Sequence, residues 1–379
     1  MESGALTSLI EIEGKNFTIE TSATPSKNRV SSLVYLGGRV ISQRAFDVAE
    51  SLSADSLKQL LQETHHIRAV ELESIFRLSR KVDEKPTPDA CWKMGVIFLS
   101  NGFYEDAQQK FIKSIEMDPT HLQSIKNYGI ALTLVDDLDG AISILNRAQE
   151  LGPSFADIYY HLGNAHLYRK ELDGAVQCYL QALQINPRYA DARLRLATAC
   201  VGYLANGTVL TEDKIVELSE RAKSEAETAA TLNPKVRNRE FMVAMDMIKN
   251  RSFPVAFQHM VEVRAKYLPR IGDEIIFFFT LTLLYGSEGI DLQMTEQYID
   301  KLSKVIEEYP HYADLHHHLG VAYLIKCRFD VSRSLKEFKK ALEINPQFQK
   351  AMNNSKDTDD LHKKILVVLK KAIIPQSSN

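Results

Sequence analysis

The sequence predicts a mostly α-helical protein, a solenoid of helix-turn-helix units preceded by a small α+β module. Three observations carry the prediction. Pro119, Pro153 and Pro187 lie 34 residues apart, and Gly95, Gly129 and Gly163 keep the same spacing. Small residues follow in register, Ala107, Ala141 and Ala175 at one position and Ser114, Ala148 and Ala182 at another, with Phe111, Leu145 and Tyr179 between them. Ahead of these units the hydrophobic period changes from helical to alternating.

Residues 1–85 open the chain with Phe17-Thr18-Ile19-Glu20, which alternates with period two, and with a run rich in β-branched residues from Val30 to Ser42. Gly37-Gly38 joins Leu33–Leu36 to Arg39–Ser42 as a two-residue hairpin, where glycine meets the positive φ of the turn; Tyr35 should pair with Val40. A helix is predicted from about Ser53 to Lys81, with Leu57, Leu60, Leu61, Ile67, Val70, Ile75 and Leu78 as its apolar stripe. Three or four strands need such a cover, although the later turns of the helix could instead cap the first repeat. Asp83-Glu84-Lys85-Pro86-Thr87-Pro88 marks the boundary. No glycine-rich phosphate loop follows a strand here. A docking or dimerisation module, a structural cap and a ligand sensor are the open readings.

Residues 86–346 carry the repeats. Two antiparallel helices approach closely only where one presents a small side chain, and Gly129 and Ala141 serve that purpose. Tyr128, Leu132 and Leu145 fill the space around the crossing, and Asp118-Pro119 and Asn186-Pro187 stop the second helix. Beyond Pro187 the fourth unit lengthens to 47 residues, ending at Pro234, and the insertion at 202–213, with the turn signal Asn206-Gly207, predicts a projecting loop or longer helices. A degenerate fifth unit runs from Arg239 to Pro269, with Phe241, Met245 and Ile248 on one helix and Phe257 and Val261 on the next. A sixth passes through the apolar segment Ile275–Tyr285 to Pro310, its Phe277, Phe278 and Phe279 read as buried, and a seventh spans Asp314 to Pro346. In residues 347–379 a helix over 357–372, with Leu361, Ile365, Leu366 and Leu369 on one side, reads as the cap that terminal repeats need.

The period, the recurring glycine, alanine, aromatic and proline, and the phrase Tyr160-His161-Leu162-Gly163-Asn164-Ala165-His166-Leu167-Tyr168 resemble the tetratricopeptide repeat family over about residues 88–346. The resemblance implies a right-handed superhelical solenoid whose first helices line a concave groove. It would place Trp92, Lys126, Asn127, Tyr160, His161, Asn164, Tyr168 and Arg195 there, with His317 and His318 on or near it and His316 packed into its helix pair. Aromatics and arginine dominate interface energetics, and asparagine holds a peptide backbone whatever its sequence. Some family members clamp a chaperone's terminal carboxylate with lysine, asparagine and arginine. In one frame the five equivalent positions hold Trp92, Val96, Asn127, Asp157 and His161; in the other, Lys126, Ile130, His161, Asp191 and Arg195. An aspartate facing a carboxylate is repulsive, so a chaperone tail is disfavoured.

The remaining signals exclude more than they suggest. Forty-six basic and 49 acidic residues, net charge -3, leave no footprint for nucleic acid. Cys91, Cys178, Cys200 and Cys327 are far apart, matching neither a disulfide framework nor a zinc site, and are expected as packed thiols. His316-His317-His318 and His65-His66 cannot converge on one ion, because successive helical residues point about 100° apart. No GxSxG, HExxH or P-loop pattern occurs, so no enzyme, metal or cofactor is predicted. The start of the chain has no basic and apolar leader, and the segment at 275–285 falls short of the roughly 20 residues that span a membrane. The expectation is a cytoplasmic, non-catalytic scaffold or adaptor that holds a protein or peptide partner in the groove without entering a membrane. The alternative is a structural protein that forms homo-oligomers through the same groove.

Overall fold

The computed structural model describes residues 5–24, 29–48, 53–152, 154–206, 210–267, 273–285, 292–308, 313–344, 347 and 349–373. The chain groups into two compact units, Met1–Pro86 with Arg270–Asn379, and Thr87–Pro269. The expected stops at Pro153, Pro269, Pro310 and Pro346 and the turn residue Gly207 lie outside the described residues, as does the Phe279 side chain.

In the first unit, strands β1 (Leu6–Ile12), β2 (Lys15–Thr24), β3 (Arg29–Leu36) and β4 (Arg39–Asp47) form an antiparallel meander in chain order. Gly37 and Gly38 sit at φ 58° and 79°, and Tyr35 pairs with Val40 as expected. One face is buried through Phe17, Ile19, Thr21, Val30, Ser32 and Val34. Helix α1 (Ala54–Glu84) covers it, with Phe76 tilted against Phe17 at 5.5 Å between ring centroids. His65 fits between two hydroxyls of the sheet, Nε2 at 2.9 Å from Ser8 Oγ and Nδ1 at 3.1 Å from Thr21 Oγ1.

The predicted stripe of α1 needs correction. Ile67 and Val70 are exposed, while Leu61, Arg68, Leu72, Ile75, Phe76, Leu78 and Val82 are buried. The inner face steps through 61, 65, 68, 72 and 76 and includes a histidine and an arginine, so a count of apolar residues alone selects the wrong edge. α1 also packs on α12 (Asp273–Tyr285). Where the sheet, α1 and α13 (Leu292–Glu308) meet, the Glu71 carboxylate takes Arg44 Nη1 at 2.5 Å, Lys301 Nζ at 3.1 Å and Arg68 Nη1 at 3.4 Å. Burial works to raise the Glu71 pKa, but the charges of Arg44, Lys301 and Arg68 and the Lys301 hydrogen bond hold it below the usual carboxylate value.

The unit is completed by α14 (Ala313–Ile344) and α15 (Gln349–Ile373). Where a seventh helix pair is expected over 314–346, α14 is one continuous helix of 32 residues. Nothing between Lys326 and Val331 breaks it, neither proline nor glycine nor a residue of positive φ. His316 and Cys327, expected to pack, are therefore exposed, and no Cβ added at Gly320 would meet an atom within 4 Å. In α15, Ile365 and Leu369 are buried against α14, whereas Leu361, expected beside them, is 48% exposed.

The second unit holds the regular repeats. α2 (Pro88–Ser100) pairs with α3 (Tyr104–Met117), α4 (Leu122–Leu134) with α5 (Leu138–Leu151), and α6 (Ala156–Tyr168) with α7 (Leu172–Ile185). Each crossing is closed by the absence of a side chain. A Cβ at Gly95 would lie 2.4 Å from the Phe111 ring, at Gly129 2.5 Å from Leu145, and at Gly163 2.7 Å from the Tyr179 ring. Each hairpin turns through a left-handed residue in the same register, Gly102, Asp136 and Lys170, at φ 83°, 67° and 66°. The fourth pair, α8 (Ala190–Ala205) and α9 (Glu212–Leu232), absorbs most of the insertion by lengthening to 16 and 21 residues from the 13 and 14 of the pair before it. A single 3-10 turn at Pro234–Val236 leads to α10 (Arg239–Lys249) and α11 (Phe253–Tyr267).

Candidate functional site

The first helices α2, α4, α6 and α8 repeat the same faces every 34 residues, so Asn127, His161 and Arg195 are equivalent, as are Ile130, Asn164 and Thr198, and Leu134, Tyr168 and Gly202. These positions form the candidate partner-binding face. Helical periodicity puts them on one side, and the glycine–aromatic crossing fixes that side relative to the second helix of each unit.

The predicted residues divide into two groups. Trp92, Lys126, Asn127 and His161 are half-buried, and Tyr168 is exposed. Tyr160, Asn164 and Arg195, expected on an open groove, are 2%, 3% and 1% exposed. Tyr160 lies against Tyr189 at 5.1 Å and Tyr179 at 6.3 Å between ring centroids, so it belongs to the packing of its pair. Asn164 Oδ1 accepts from Tyr179 Oη at 2.9 Å, an aromatic-to-amide bond that locks the crossing at Gly163. Arg195 stacks over the Tyr168 ring at 5.7 Å and donates from Nη2 to Tyr168 Oη at 3.0 Å. His317 and His318 lie on α14 in the other unit, their rings 5.4 Å apart, on a helix that runs on where the turn of a repeat pair is expected.

Lys126 Nζ reaches Asp157 Oδ2 at 2.6 Å from one inner helix to the next. Burial acts to raise the Asp157 pKa, but the Lys126 charge and hydrogen bond, helped by His161, hold it below its ordinary value. That lysine is already partnered by the aspartate that argued against a carboxylate clamp. Trp92 faces His121 at 6.0 Å between centroids. Sequence reasoning missed the exposed pair Leu134 and Val135 at the end of α4, though Leu134 stands 34 residues before Tyr168 and could have been found from that register. Among the described residues no group of histidine, cysteine and acidic side chains could hold a metal ion, and no helix is long and apolar enough to cross a membrane.

The repeat model of the tetratricopeptide family matches residues 156–189, which are α6, α7 and the residues that follow them. Residues 156–189 are a tetratricopeptide repeat. Its helix-turn-helix geometry recurs in the pairs before it, so the chain carries a solenoid of tetratricopeptide-like repeats and a four-stranded antiparallel sheet ahead of them. No curated protein matches the chain. Several solved repeat structures are similar to it. The crystal structure of MamA is 21% identical, covering 45% of this chain and 95% of its own, with a TM-score of 0.33. TTC0263, a thermophilic tetratricopeptide protein of Thermus thermophilus, is 18% identical over 54% of this chain and 99% of its own, with a TM-score of 0.32. YrrB, described as a tetratricopeptide protein with an unusual peptide-binding site, is 20% identical over 65% of this chain and 97% of its own, with a TM-score of 0.28. At such scores no property of these proteins passes to this chain.

Proposed function

We propose that this chain is a non-catalytic interaction scaffold that holds a peptide or helix of a partner protein on the inner face of its tetratricopeptide-like repeats. One observation carries the reading. Asn127, His161, Leu134 and Tyr168 recur on one face at the repeat spacing and stay half-buried or exposed, while the residues that close each crossing are buried. A face of aromatic, aliphatic and amide groups gives the apolar contact and backbone hydrogen bonds that peptide recognition uses. The close ion pair of Lys126 with Asp157 on this face is a structural bridge between units. Four thiols without a disulfide support a reducing, cytoplasmic setting.

The test is copurification with the full chain beside a variant carrying Asn127→Ala, His161→Ala and Tyr168→Ala, with helix content checked by circular dichroism. Loss of a specific partner from the folded variant supports the reading; a partner retained at full yield refutes it. Sedimentation at tens of micromolar separates the self-assembly alternative, which needs concentration-dependent mass that the triple substitution abolishes.

A further inference from the structure

The fifth helix pair departs from the stacking rule of the first four. In the regular units the next first helix nestles on both helices of the pair before it: α4 on α3 and α2, α6 on α5 and α4, α8 on α7 and α6. α10 barely touches α9, and it is α11, the second helix of its pair, that packs along α8. A helix that packs along α8 but not α9 lies to the inner side of the stack.

The burial pattern agrees. At the three equivalent inner positions α4 presents half-buried Asn127, half-buried Ile130 and exposed Leu134. α8 presents Arg195 and Thr198, 1% and 0% exposed, and a buried Gly202. A Cβ at Gly202 would stand 3.1 Å from Cε2 of Phe257, a residue of α11. The Phe257 ring therefore occupies the space beside α8 that the absence of a side chain at 202 opens, at the position where α4 and α6 project Leu134 and Tyr168. α11 brings an apolar stripe, Phe253, Ala256, Phe257, Met260 and Val263, and its last four members join the same core as α8 and α9.

The fit is incomplete. The buried Arg195 guanidinium bonds through Nη2 alone; Nε and Nη1 have no hydrogen-bond partner among the described residues, and neither has the buried Nδ1 of His259 on α11. Buried donors without acceptors are costly, above all on a charged group. The acid of α11, Glu262, is exposed and does not pair with Arg195.

We propose that α11 is a built-in occupant of the inner face, and that the partner is an amphipathic helix bearing an acidic side chain that replaces α11 on α8 and supplies Arg195 with a carboxylate. This rests on the scaffold reading and names the partner's chemistry. α11 is the pattern for the apolar half of the partner, and the unpaired guanidinium is the feature that α11 does not answer. Tethering gives α11 an effective concentration in the millimolar range, so a competing helix must bind better than α11 does or meet a chain whose α11 is loosened.

The experiment uses the full chain and labelled synthetic peptides in fluorescence anisotropy. One peptide has the sequence of residues 253–267; three others carry glutamate in place of Gln258, His259 or Val261. The Phe257→Ala, Met260→Ala chain is expected to bind the first peptide at least tenfold more tightly than the unaltered chain, because its own α11 no longer competes. At least one acidic peptide should bind that chain a further tenfold more tightly, an advantage lost when Arg195→Met is added. Equal binding to the loosened and unaltered chains, with helix content retained, overturns the occupant; no acidic peptide gaining affinity through Arg195 overturns the carboxylate. Hydrogen exchange on the unaltered chain keeps the idea testable should the double variant fail to fold: α11 amides should exchange at least tenfold faster than those of α8, and equal protection overturns the proposal. Peptides that behave as expected while copurification yields no partner would sink the scaffold reading and leave this displacement standing.

Discussion

Gly163→Ala puts the close approach of the repeat helices to a direct test. The new Cβ would stand 2.7 Å from Cε1, 2.9 Å from Cδ1 and 3.1 Å from Cζ of Tyr179. Carbon atoms rest at about 3.5–4.0 Å, so roughly 0.8 Å must be found. The ring cannot swing aside: it is 0% exposed, lies near Tyr160 and donates its hydroxyl to Asn164 at 2.9 Å. Overpacking of this kind costs about 1–3 kcal/mol, the loss of the tyrosine hydrogen bond adds about 1 kcal/mol, and the better helix propensity of alanine returns about 1 kcal/mol. The net loss is about 1–3 kcal/mol. Gly320→Ala is the control, with the same leucine–glycine phrase on α14 but nothing within 4 Å of the new methyl, and it should gain up to about 1 kcal/mol. Trp92 is the one tryptophan of the chain and lies in the repeat unit, so urea unfolding followed by its fluorescence reports on Gly163→Ala, and far-ultraviolet circular dichroism follows Gly320→Ala. An unchanged or raised fluorescence midpoint for Gly163→Ala would refute the argument that the missing side chain sets the crossing.

Further outcomes follow from other contacts. Lys170→Gly should raise the fluorescence midpoint by up to about 1 kcal/mol, because Lys170 bears the left-handed penalty at φ 66° that Gly102 avoids in the first repeat; a lowered midpoint would show that the lysine side chain matters more than its backbone. Glu71→Gln should weaken the unit that holds the sheet by about 1–3 kcal/mol in thermal unfolding, since it strips the carboxylate from the buried Arg68. Asp157 has a depressed folded pKa, so its contribution is present above the unfolded value near 4 and is lost as pH falls through the lower folded value. An acid titration of repeat stability should therefore be shallower in Asp157→Asn than in the unaltered chain. Cys327 should react first with a disulfide reagent in the native protein, because it is exposed while burial pushes Cys200 and Cys178 up to about 11; rapid labelling of Cys200 would contradict the packing of α8.

The repeats were legible because their structure is local. Gly129 and Leu145, or Gly163 and Tyr179, meet within one hairpin, so a 34-residue period contains the whole contact. The β-hairpin at Gly37-Gly38 could be read for the same reason. β1, with its modest alternation in Leu6–Ile12, was not identified, since an edge strand is defined by its neighbour β2. Misreadings arose where distant packing decides. Arg68 and His65 lie toward the sheet because Ser8, Thr21 and Ser42 offer them hydroxyls, a fact outside any apolar count. The phrase Leu319-Gly320-Val321-Ala322-Tyr323 has the composition of a crossing, but α14 runs on without the expected turn and Gly320 itself is exposed, with nothing within 4 Å of an added Cβ. Within the candidate face, register found Asn127, His161 and Tyr168. It could not reveal that Tyr160 and Asn164 are drawn into the crossing, or that α11 packs along α8 with Phe257 beside Gly202, because the swapped helix of the fifth pair leaves no trace in the period.

The first unit is discontinuous in sequence, and this sets an order on its assembly at the ribosome. The sheet and α1 emerge early, but the flank of α1 that packs on α12, and the Lys301 partner of Glu71, wait behind the roughly 180 residues of the repeat unit, about 10–40 s of synthesis at ~5–20 residues per second. The regular repeats close hairpin by hairpin as they are made, with contacts near in sequence, and only the packing of α11 on α8 reaches further back. The nascent chain thus passes through a stage in which the middle is folded and the beginning still holds an uncovered helix face, the stage at which a chaperone would have most to protect.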